Sequence, residues 1–376
     1  MPIRRILFIA EGQLGDLLLL TPALRATRES SPRSHITVLV VQRRRYEGKR
    51  ESGTGVLGIA SGGGTTAVIT DSDLVDEVVE VDRPRVRSLK GLARLRAEWE
   101  IVSFLRKAKP DAVFCTFPQD RFVLWAFLSG ARLRVGQKRQ ALARFLTTAP
   151  DLERGKGGVL RYYADLVAAA GAVVRRYDTE YRVRKPARDW AEEFLRTRGV
   201  DGTLPLVAVH PGATGLYKIW PPERFAALID ELQESKLARV ILCGSDFDRE
   251  IVGRVREHLR TGVLEVNPGG SVPRLAALLQ CCTLSIVNDS GPRHLSLAVG
   301  TRTIAFMPSF QDREWGIPEY GESSVLLQGS DRCSGCAEGE CNNIIPPGQE
   351  YGSYCMRMIS VEQAGVMVLK QLGAAR

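Results

Sequence analysis

Residues 5–16 read RILFIAEGQLGD, and this stretch decides the fold class. Its first part, Ile6–Ala10, is a short continuous apolar run of the length expected for a strand buried on both faces. A loop containing Gly12 and Gly15 follows, and a helix is predicted to begin near Asp16. A strand, a glycine loop and a helix in this order are typical of the opening unit of a parallel α/β domain.

The same alternation continues along the 376 residues and predicts an α/β protein throughout. This length favours two domains, and a polar, basic stretch at 181–186 places the boundary between 1–185 and 186–376. A terminal helix is predicted at Val361–Leu372. The stretch Gln42–Thr66 is rich in Arg, Gly, Ser and Thr, has no period, and predicts a long loop.

Composition narrows the class of partner. The net charge is +9, and arginines cluster at 43–45, 83–87 and 132–139. Such a surface attracts anions, and because no nucleic-acid motif is present, contact with a membrane surface or an acidic glycan is favoured over nucleic acid. A generally basic surface without a function is the alternative. No apolar run approaches the roughly 20 residues of a membrane span, and 6–10 is too short for a signal peptide, so we expect a cytoplasmic protein, peripheral at most to the inner face of the membrane.

Three loops that follow predicted strands carry candidate functional residues, because ligands of open α/β sheets bind at the carboxyl ends of strands. The first, Gly12–Asp16, places the Asp16 carboxylate at a helix start, where capping of the helix is the plain alternative. It lacks the third glycine of a dinucleotide fingerprint.

The other two loops are suited to an anion. His210–Pro222 offers the Thr214 hydroxyl, the Lys218 ammonium and several backbone N–H groups to a pyrophosphate, although a solvated lysine is the alternative. Asn288–His294 opens a helix with Ser290-Gly291, and helix N-termini bind anions. Its alternative is Asp289 as a helix cap with His294 as a packed helix residue.

Taken together, the three loops resemble glycosyltransferase family 9, the ADP-heptose:lipopolysaccharide heptosyltransferases. Four motifs in family order carry the resemblance: Gly15-Asp16 before Thr21-Pro22-Ala23-Leu24; His210-Pro211-Gly212 before Lys218-Ile219-Trp220-Pro221 and Glu223-Arg224-Phe225; Asn288–Leu295; and Cys355–Glu362. Ile219 stands where the family often has a basic residue, and the 42–66 stretch departs from the family pattern.

The resemblance implies a GT-B fold, in which two Rossmann-like domains face each other across a cleft, with the acceptor bound by the first and the nucleotide-sugar by the second. It implies inverting transfer, with Asp16 as general base, Lys218 and Thr214 at the donor phosphates, and Ser290 and Gly291 presenting N–H groups. Asp246 corresponds to an acidic ribose contact. Gly15, Asp289 and His294 complete the substrate-binding set. No catalytic metal or cofactor is implied.

A cysteine cluster lies near the C-terminus, at Cys333, Cys336, Cys341 and Cys355. Four thiolates could hold a structural zinc ion or an iron–sulfur cluster, but the spacing fits no standard motif closely. We interpret the 333–355 loop as cysteine-braced. Free thiols, or disulfides, which are rare in the cytoplasm, are the plain alternatives, and a bound structural metal is the other.

The favoured function is therefore transfer of a heptose, or a related sugar, from an ADP-sugar to a lipopolysaccharide-core or other lipid-linked or phosphorylated glycan. Two alternatives remain at this stage. One is an epimerase or hydrolase on the same scaffold, which would need no glycan acceptor. The other is a non-catalytic nucleotide-sugar-binding protein.

Overall fold

Two parallel sheets, one in each half of the chain, carry the three loops on their carboxyl edges. The computed structural model describes residues 3–42, 55–60, 63–152, 158–309, 317–329 and 345–373. The chain divides into two units, Met1–Arg182 and Val183–Arg376. Within the described residues, no helix is both long and apolar enough to cross a membrane.

Unit 1 is built on a six-stranded sheet with the order β3-β4-β2-β1-β5-β6. The strands are β1 Arg5–Glu11, β2 His35–Gln42, β3 Leu57–Ile59, β4 Glu77–Asp82, β5 Ala112–Cys115 and β6 Leu133–Val135. All pairings are parallel except that of the edge strand β3 with β4. The order reverses between β1 and β5, which are neighbours in the sheet but distant in sequence. Ligands of such sheets bind at this reversal.

Helices cover both faces of the unit 1 sheet and bury its strands. They are α1 Leu14–Ser30, α2 Ala67–Thr70, α3 Arg83–Ser88, α4 Gly91–Ala108, α5 Asp120–Leu128 and α6 Gly158–Ala168. Residues 6–11 of β1 are all buried, as expected of a strand with helices on both sides. Helix α6 packs on α1, which brings the end of unit 1 back to the first loop.

Unit 2 repeats the architecture with the order β12-β11-β10-β7-β8-β9, and every pairing is parallel. Its strands are β7 Leu206–His210, β8 Arg239–Cys243, β9 Leu264–Val266, β10 Leu284–Asn288, β11 Arg302–Phe306 and β12 Ser324–Leu327. The strand order is that of a dinucleotide-binding fold, and it reverses between β7 and β10. The second and third candidate loops follow these two strands.

The helices of unit 2 bury an apolar core around Trp220 and Phe306, whose rings stack at 4.1 Å between centroids. They are α7 Lys185–Thr197, α8 Pro222–Glu234, α9 Arg249–His258, α10 Val272–Gln280, α11 Gly291–Ala298, α12 Tyr354–Met358 and α13 Val361–Gly373. The terminal helix α13 packs against α8 within unit 2. The predicted terminal helix is thus confirmed within one residue at its end.

The Gln42–Thr66 stretch is not a loop throughout. Leu57–Ile59 forms the edge strand β3, and Thr65 donates a hydrogen bond to the carbonyl oxygen of Gly12 at 2.9 Å. The strand was missed because it has three residues and pairs on one side only, so it carries no periodic signal. Residues 43–54 and 61–62 lie outside the described part of the chain.

Candidate functional site

Asp16 lies in the first turn of α1, at the carboxyl edge of the unit 1 sheet. The helix begins at Leu14 after Gln13, so Asp16 is its third residue and the capping alternative is wrong. Its side chain is buried, with 5% of the residue exposed. The Tyr163 hydroxyl of α6 donates a hydrogen bond to Asp16 Oδ1 at 3.2 Å. The Tyr163 hydroxyl and the positive end of α1 thus hold the Asp16 carboxylate in place at this edge.

The loop before Asp16 needs its first glycine for space. A Cβ on Gly12 would lie 2.4 Å from Gln42 Oε1, and Gly12 N–H donates to the Val41 carbonyl at 3.0 Å. Gly15 is the second residue of α1. The glycines therefore let the chain pass close to β2 and turn directly into the helix that positions Asp16.

A buried acidic group beside this loop was missed from the sequence. Glu11, the last residue of β1, is 1% exposed, accepts a hydrogen bond from Gln119 Nε2 at 2.6 Å, and lies 3.5 Å from Arg83 Nη1. Burial, followed by the nearby charges of Arg87 and Arg121, lowers the pKa of Arg83. The carboxyl edge of unit 1 thus pairs one buried carboxylate with Arg83, and two further guanidinium groups lie close enough to act on Arg83.

In unit 2, Asn288 joins the second and third loops. Its side chain accepts from the Trp220 N–H at 3.0 Å and donates to the Pro211 carbonyl at 2.6 Å. Because β7 and β10 are adjacent, one fully buried amide at the end of β10 can hold both ends of the 211–220 loop. This side chain satisfies backbone groups that the irregular loop leaves unpaired.

Lys218 and Asp289 meet at this strand reversal. Lys218 ends a short 3-10 turn, and its Nζ is 3.7 Å from Asp289 Oδ2. The other oxygen of Asp289 accepts from Arg293 Nη1 at 3.0 Å. Asp289 therefore is not the cap of α11, which is Ser290 and makes no side-chain cap bond. Two cations sharing one carboxylate leave positive charge available to an anion.

His294 is a packed helix residue, as the alternative from the sequence had it. It is 2% exposed, and its Nδ1 is 2.9 Å from the Tyr320 hydroxyl. Burial, and then the charges of Arg293 and Lys218, hold the pKa of His294 well below its ordinary value of 6.5. The imidazole is therefore neutral at pH 7.

His294 should make stability depend on pH. Its folded pKa lies below the unfolded value of 6.5, so its contribution is complete above that pH and is lost as the pH falls below it. As the pH falls below 6.5, we expect the unfolding free energy of the wild type to decrease relative to that of His294→Gln, by up to about 1.4 kcal/mol per pH unit. Urea unfolding of both proteins at pH 7.5, 6 and 5 measures this. A constant difference between them would contradict it.

The remaining predicted donor contacts are spread along the same edge. Thr214 is exposed on the second loop. The Ser290 hydroxyl donates to the Asn288 carbonyl at 3.2 Å, and Gly291 is the first residue of α11. The backbone N–H groups of the first turn of α11 therefore point out of the same edge that holds Lys218.

Asp246, predicted to contact a ribose, follows β8 in a short 3-10 turn and is exposed. Its Oδ1 accepts from Asn267 and Arg249, which lowers the pKa of Asp246. Asp248, two residues on, is the more buried acid: it accepts from the Ser245 N–H and hydroxyl and lies 3.5 Å from His210 Nε2. Burial opposes its ionisation, but His210 and Ser245 outweigh burial and lower the pKa of Asp248.

Gly212 should be intolerant of any side chain. A Cβ there would lie 1.8 Å from Asp248 Oδ1 and 3.0 Å from His210 Cε1. Because Ser245 and His210 hold this carboxylate in place, we expect Gly212→Ala to lower the unfolding free energy by about 1–3 kcal/mol. Urea unfolding measures the change. The matched control is Gly262→Ala, where a Cβ meets nothing within 4 Å; equal effects at the two positions would refute the packing argument.

Three of the four clustered cysteines, Cys333, Cys336 and Cys341, lie outside the described residues. Cys355 lies in α12 and is buried, with its Sγ 3.3 Å from Ser353 Oγ. Among the described residues, no group of three or more His, Cys, Asp or Glu side chains could hold a metal ion.

Several groups at these edges were not identified from the sequence. Tyr163 is 147 positions from Asp16 and has no local signal. Arg293 is fully buried and lies 5.5 Å from the Tyr320 ring centroid. Its place in the first turn of a helix that directly follows a buried strand is the kind of signal that could have found it. Glu11 carries a related signal as a charged residue at the end of an apolar strand.

Two α/β units, each with polar groups gathered where its strand order reverses, have the GT-B fold of the E. coli heptosyltransferase WaaC. The chain belongs to glycosyltransferase family 9 (heptosyltransferase), whose family model matches residues 124–344, more than half of its length. It is therefore a family 9 glycosyltransferase, in the family of the lipopolysaccharide heptosyltransferases.

Similar proteins agree with this assignment. Lipopolysaccharide heptosyltransferase 3 of Escherichia coli is 22% identical over 311 residues, 80% of this chain and 82% of that protein. A family 9 glycosyltransferase structure from Veillonella parvula has a TM-score of 0.77 at 24% identity, covering 100% of this chain and 99% of that one. The E. coli heptosyltransferase WaaC, solved with ADP, has a TM-score of 0.68 at 17% identity, covering 98% and 99%. WaaC was also solved with ADP-2-deoxy-2-fluoro heptose.

Proposed function

We propose that this chain transfers a heptose from an ADP-heptose donor to a hydroxyl of a phosphorylated or lipid-linked glycan, with inversion at the anomeric carbon. The observation that carries the proposal is Asp16, a buried carboxylate at the carboxyl end of β1 whose position capping does not explain. Membership of family 9 supports the type of reaction. WaaC, a similar protein, binds ADP and an ADP-heptose analogue, which supports the donor.

In the proposed reaction, unit 1 binds the acceptor and unit 2 binds the donor. Asp16 takes the proton from the acceptor hydroxyl as that oxygen attacks the anomeric carbon, and Tyr163 orients the carboxylate. The bond between the anomeric carbon and the ADP oxygen breaks in the same step. One displacement inverts the configuration, and ADP leaves with the bonding electron pair.

The leaving ADP gains negative charge, and unit 2 supplies positive groups for it. Lys218 and the first-turn N–H groups of α11, from Ser290 and Gly291, are proposed to bind the pyrophosphate. Thr214 is proposed to add a hydroxyl contact. His294 remains neutral beside Tyr320, and its role is to pack this edge. Because protein groups take the charge, the proposed transfer requires no catalytic metal.

For the ribose, Asp246 remains the proposed acidic contact. It is exposed directly after β8, where dinucleotide folds place this acid. Asp248 is more buried and already interacts with His210 and Ser245. It is proposed to hold the loop after β8 in place rather than to bind the nucleotide.

The acceptor class is proposed from charge. Arg83 begins α3 directly after β4, at the carboxyl edge that also holds Asp16, and Arg87 and Arg121 are close enough for their charges to lower the pKa of Arg83. Guanidinium groups bind phosphate by paired hydrogen bonds. A phosphorylated sugar acceptor at the inner face of the cytoplasmic membrane fits this surface better than a neutral one.

The four cysteines are proposed to brace the 333–355 loop. The alternative is a structural zinc or iron site made from the same thiolates. Elemental analysis of the purified protein distinguishes the two, because a brace of free thiols gives no stoichiometric metal.

Release of ADP from ADP-heptose, with and without a phosphorylated lipid A–Kdo acceptor, tests the proposed function. We expect release that depends on the acceptor. Full release without acceptor would instead support an epimerase or hydrolase. Binding of ADP-heptose with no release under either condition would support a non-catalytic nucleotide-sugar-binding protein. UDP- and GDP-sugars serve as donor controls.

A further inference from the structure

An exposed apolar stripe projects from unit 1 at the start of α4. Leu92, Leu95 and Trp99 are 84%, 66% and 59% exposed. They are spaced three and four residues apart, so they share one face of the helix. The opposite face, with Ala97, Ile101 and Leu105, is buried in the core of the unit. Every residue from Gly91 to Arg96 is exposed, so the first turns of α4 extend beyond the packed body.

The segment around this stripe accounts for most of the net positive charge of the chain. Residues 83–109 contain nine Lys and Arg and two Glu, which is +7 of the net +9. Both glutamates are engaged within the unit. Glu98 accepts from Trp125 Nε1 and lies 3.6 Å from Arg121, and Glu100 accepts from the backbone N–H groups of Val56 and Leu57. Lys90, Arg94 and Arg96 are exposed around the apolar side chains.

An exposed apolar stripe surrounded by basic side chains is typical of a surface that binds a membrane. Leucine and tryptophan side chains insert into the boundary between lipid headgroups and acyl chains, and flanking Lys and Arg bind anionic headgroups. A second copy of the same face would bring two strongly positive surfaces together, which disfavours a symmetric dimer here. Charge therefore selects an anionic bilayer as the occupant over another copy of this chain.

The position of the stripe agrees with a lipid-linked acceptor. Helices α3 and α4 together connect β4 to the parallel strand β5, and α4 begins three residues after α3 ends. The connection therefore leaves the carboxyl edge of the sheet through α3 and the start of α4. Asp16 lies at that same edge, in the helix that follows β1. A bilayer docked on the start of α4 would bring lipid headgroups to the edge of unit 1 that holds Asp16.

We propose that Leu92, Leu95 and Trp99, with Lys90, Arg94 and Arg96 around them, form a docking surface for an anionic bilayer. The proposal deepens the proposed function, since it supplies the surface from which a lipid-linked acceptor is taken. It can be tested separately, because binding to lipid needs neither donor nor acceptor.

The experiment is cosedimentation of the full chain with vesicles of phosphatidylcholine alone, or of phosphatidylcholine mixed with phosphatidylglycerol. We expect the wild type to bind the mixed vesicles, to bind less as NaCl rises, and not to bind phosphatidylcholine alone. The variant Leu92→Ser/Leu95→Ser/Trp99→Ser should bind the mixed vesicles at least about tenfold more weakly. The variant Arg94→Gln/Arg96→Gln should bind the mixed vesicles more weakly by a similar factor when the NaCl concentration is low.

The matched control is Val366→Ser/Leu369→Ser on α13, which removes two exposed apolar side chains of unit 2 three residues apart. It should bind like the wild type. Failure of the wild type to bind mixed vesicles, or equal binding by the triple Ser variant, would overturn the proposal. A change in the oligomeric state of the lipid-free protein on triple substitution, with wild-type vesicle binding, would assign the stripe to a second copy instead.

Discussion

Asp16→Asn is expected to lower kcat for heptosyl transfer by about 10²- to 10⁴-fold while leaving the fold intact. The amide keeps the size of the carboxylate and can still accept the hydrogen bond from Tyr163. It cannot take a proton from the acceptor hydroxyl. The measurement is steady-state ADP release with saturating acceptor, together with thermal unfolding of both proteins.

Tyr163→Phe is the control for this prediction. It removes a hydroxyl that orients Asp16 and leaves the carboxylate in place, so it should cost much less than the Asp16→Asn change. If Asp16→Asn unfolds at a temperature close to that of the wild type, its lower activity reflects the missing carboxylate and not a loss of folded protein. An Asp16→Asn protein that turns over at the wild-type rate would remove Asp16 from the reaction.

Lys218→Met is expected to give the second-largest effect, about 10²- to 10³-fold in kcat, because it removes a positive group from the leaving pyrophosphate. The Met side chain retains the apolar length of lysine. Asp289 keeps its 3.0 Å pair with Arg293, so the buried carboxylate is not left without a cation. The loss should therefore concern the donor and not the fold.

The readout for Lys218 separates binding from chemistry. The measurement is kcat and the KM for ADP-heptose of Lys218→Met, with Lys370→Met, at an exposed lysine of α13, as the control. A lower kcat indicates that Lys218 acts on the charge developing in the transition state. If Lys218→Met behaves like Lys370→Met in both constants, Lys218 does not contact the donor.

The sequence predicted the two α/β sheets well because their strands are buried on both faces. Residues 6–10 and 206–209 are continuous apolar runs, and 284–287 is apolar apart from Ser285; such runs are visible without structural information. The strand β3 could not be found in this way. It has three residues, and among the described strands it pairs with β4 alone.

The candidate site was predictable to the level of its loops. Strand ends identified Asp16, Lys218 and Asp289, but their partners depend on which strands lie side by side. Asn288 can join the 211–220 loop to the end of β10 only because β7 and β10 pair. Tyr163 reaches Asp16 only because α6 packs on α1. Such contacts join residues far apart in sequence, and no local pattern encodes them.

The starts of α1 and α11 also carry side-chain roles that the sequence alone did not predict. Asp16 and Asp289 both occupy positions where an acidic side chain commonly caps a helix. In the structure neither does so, because Gln13 and Ser290 hold the cap positions. One carboxylate is instead bound by Tyr163 and the other by Arg293 and Lys218. The partners that each carboxylate finds, Tyr163 far along the chain for Asp16 and Arg293 only four residues on for Asp289, thus decide its role.

The central claim is that the chain joins a heptose to a glycan acceptor with Asp16 as the base. Mass spectrometry of the phosphorylated lipid A–Kdo acceptor, after incubation with ADP-heptose and either wild type or Asp16→Asn, tests it most directly. We expect the wild type to add the mass of one heptose and Asp16→Asn to leave the acceptor almost unchanged. An acceptor unchanged by a wild type that releases ADP, or one modified equally by both proteins, would contradict it.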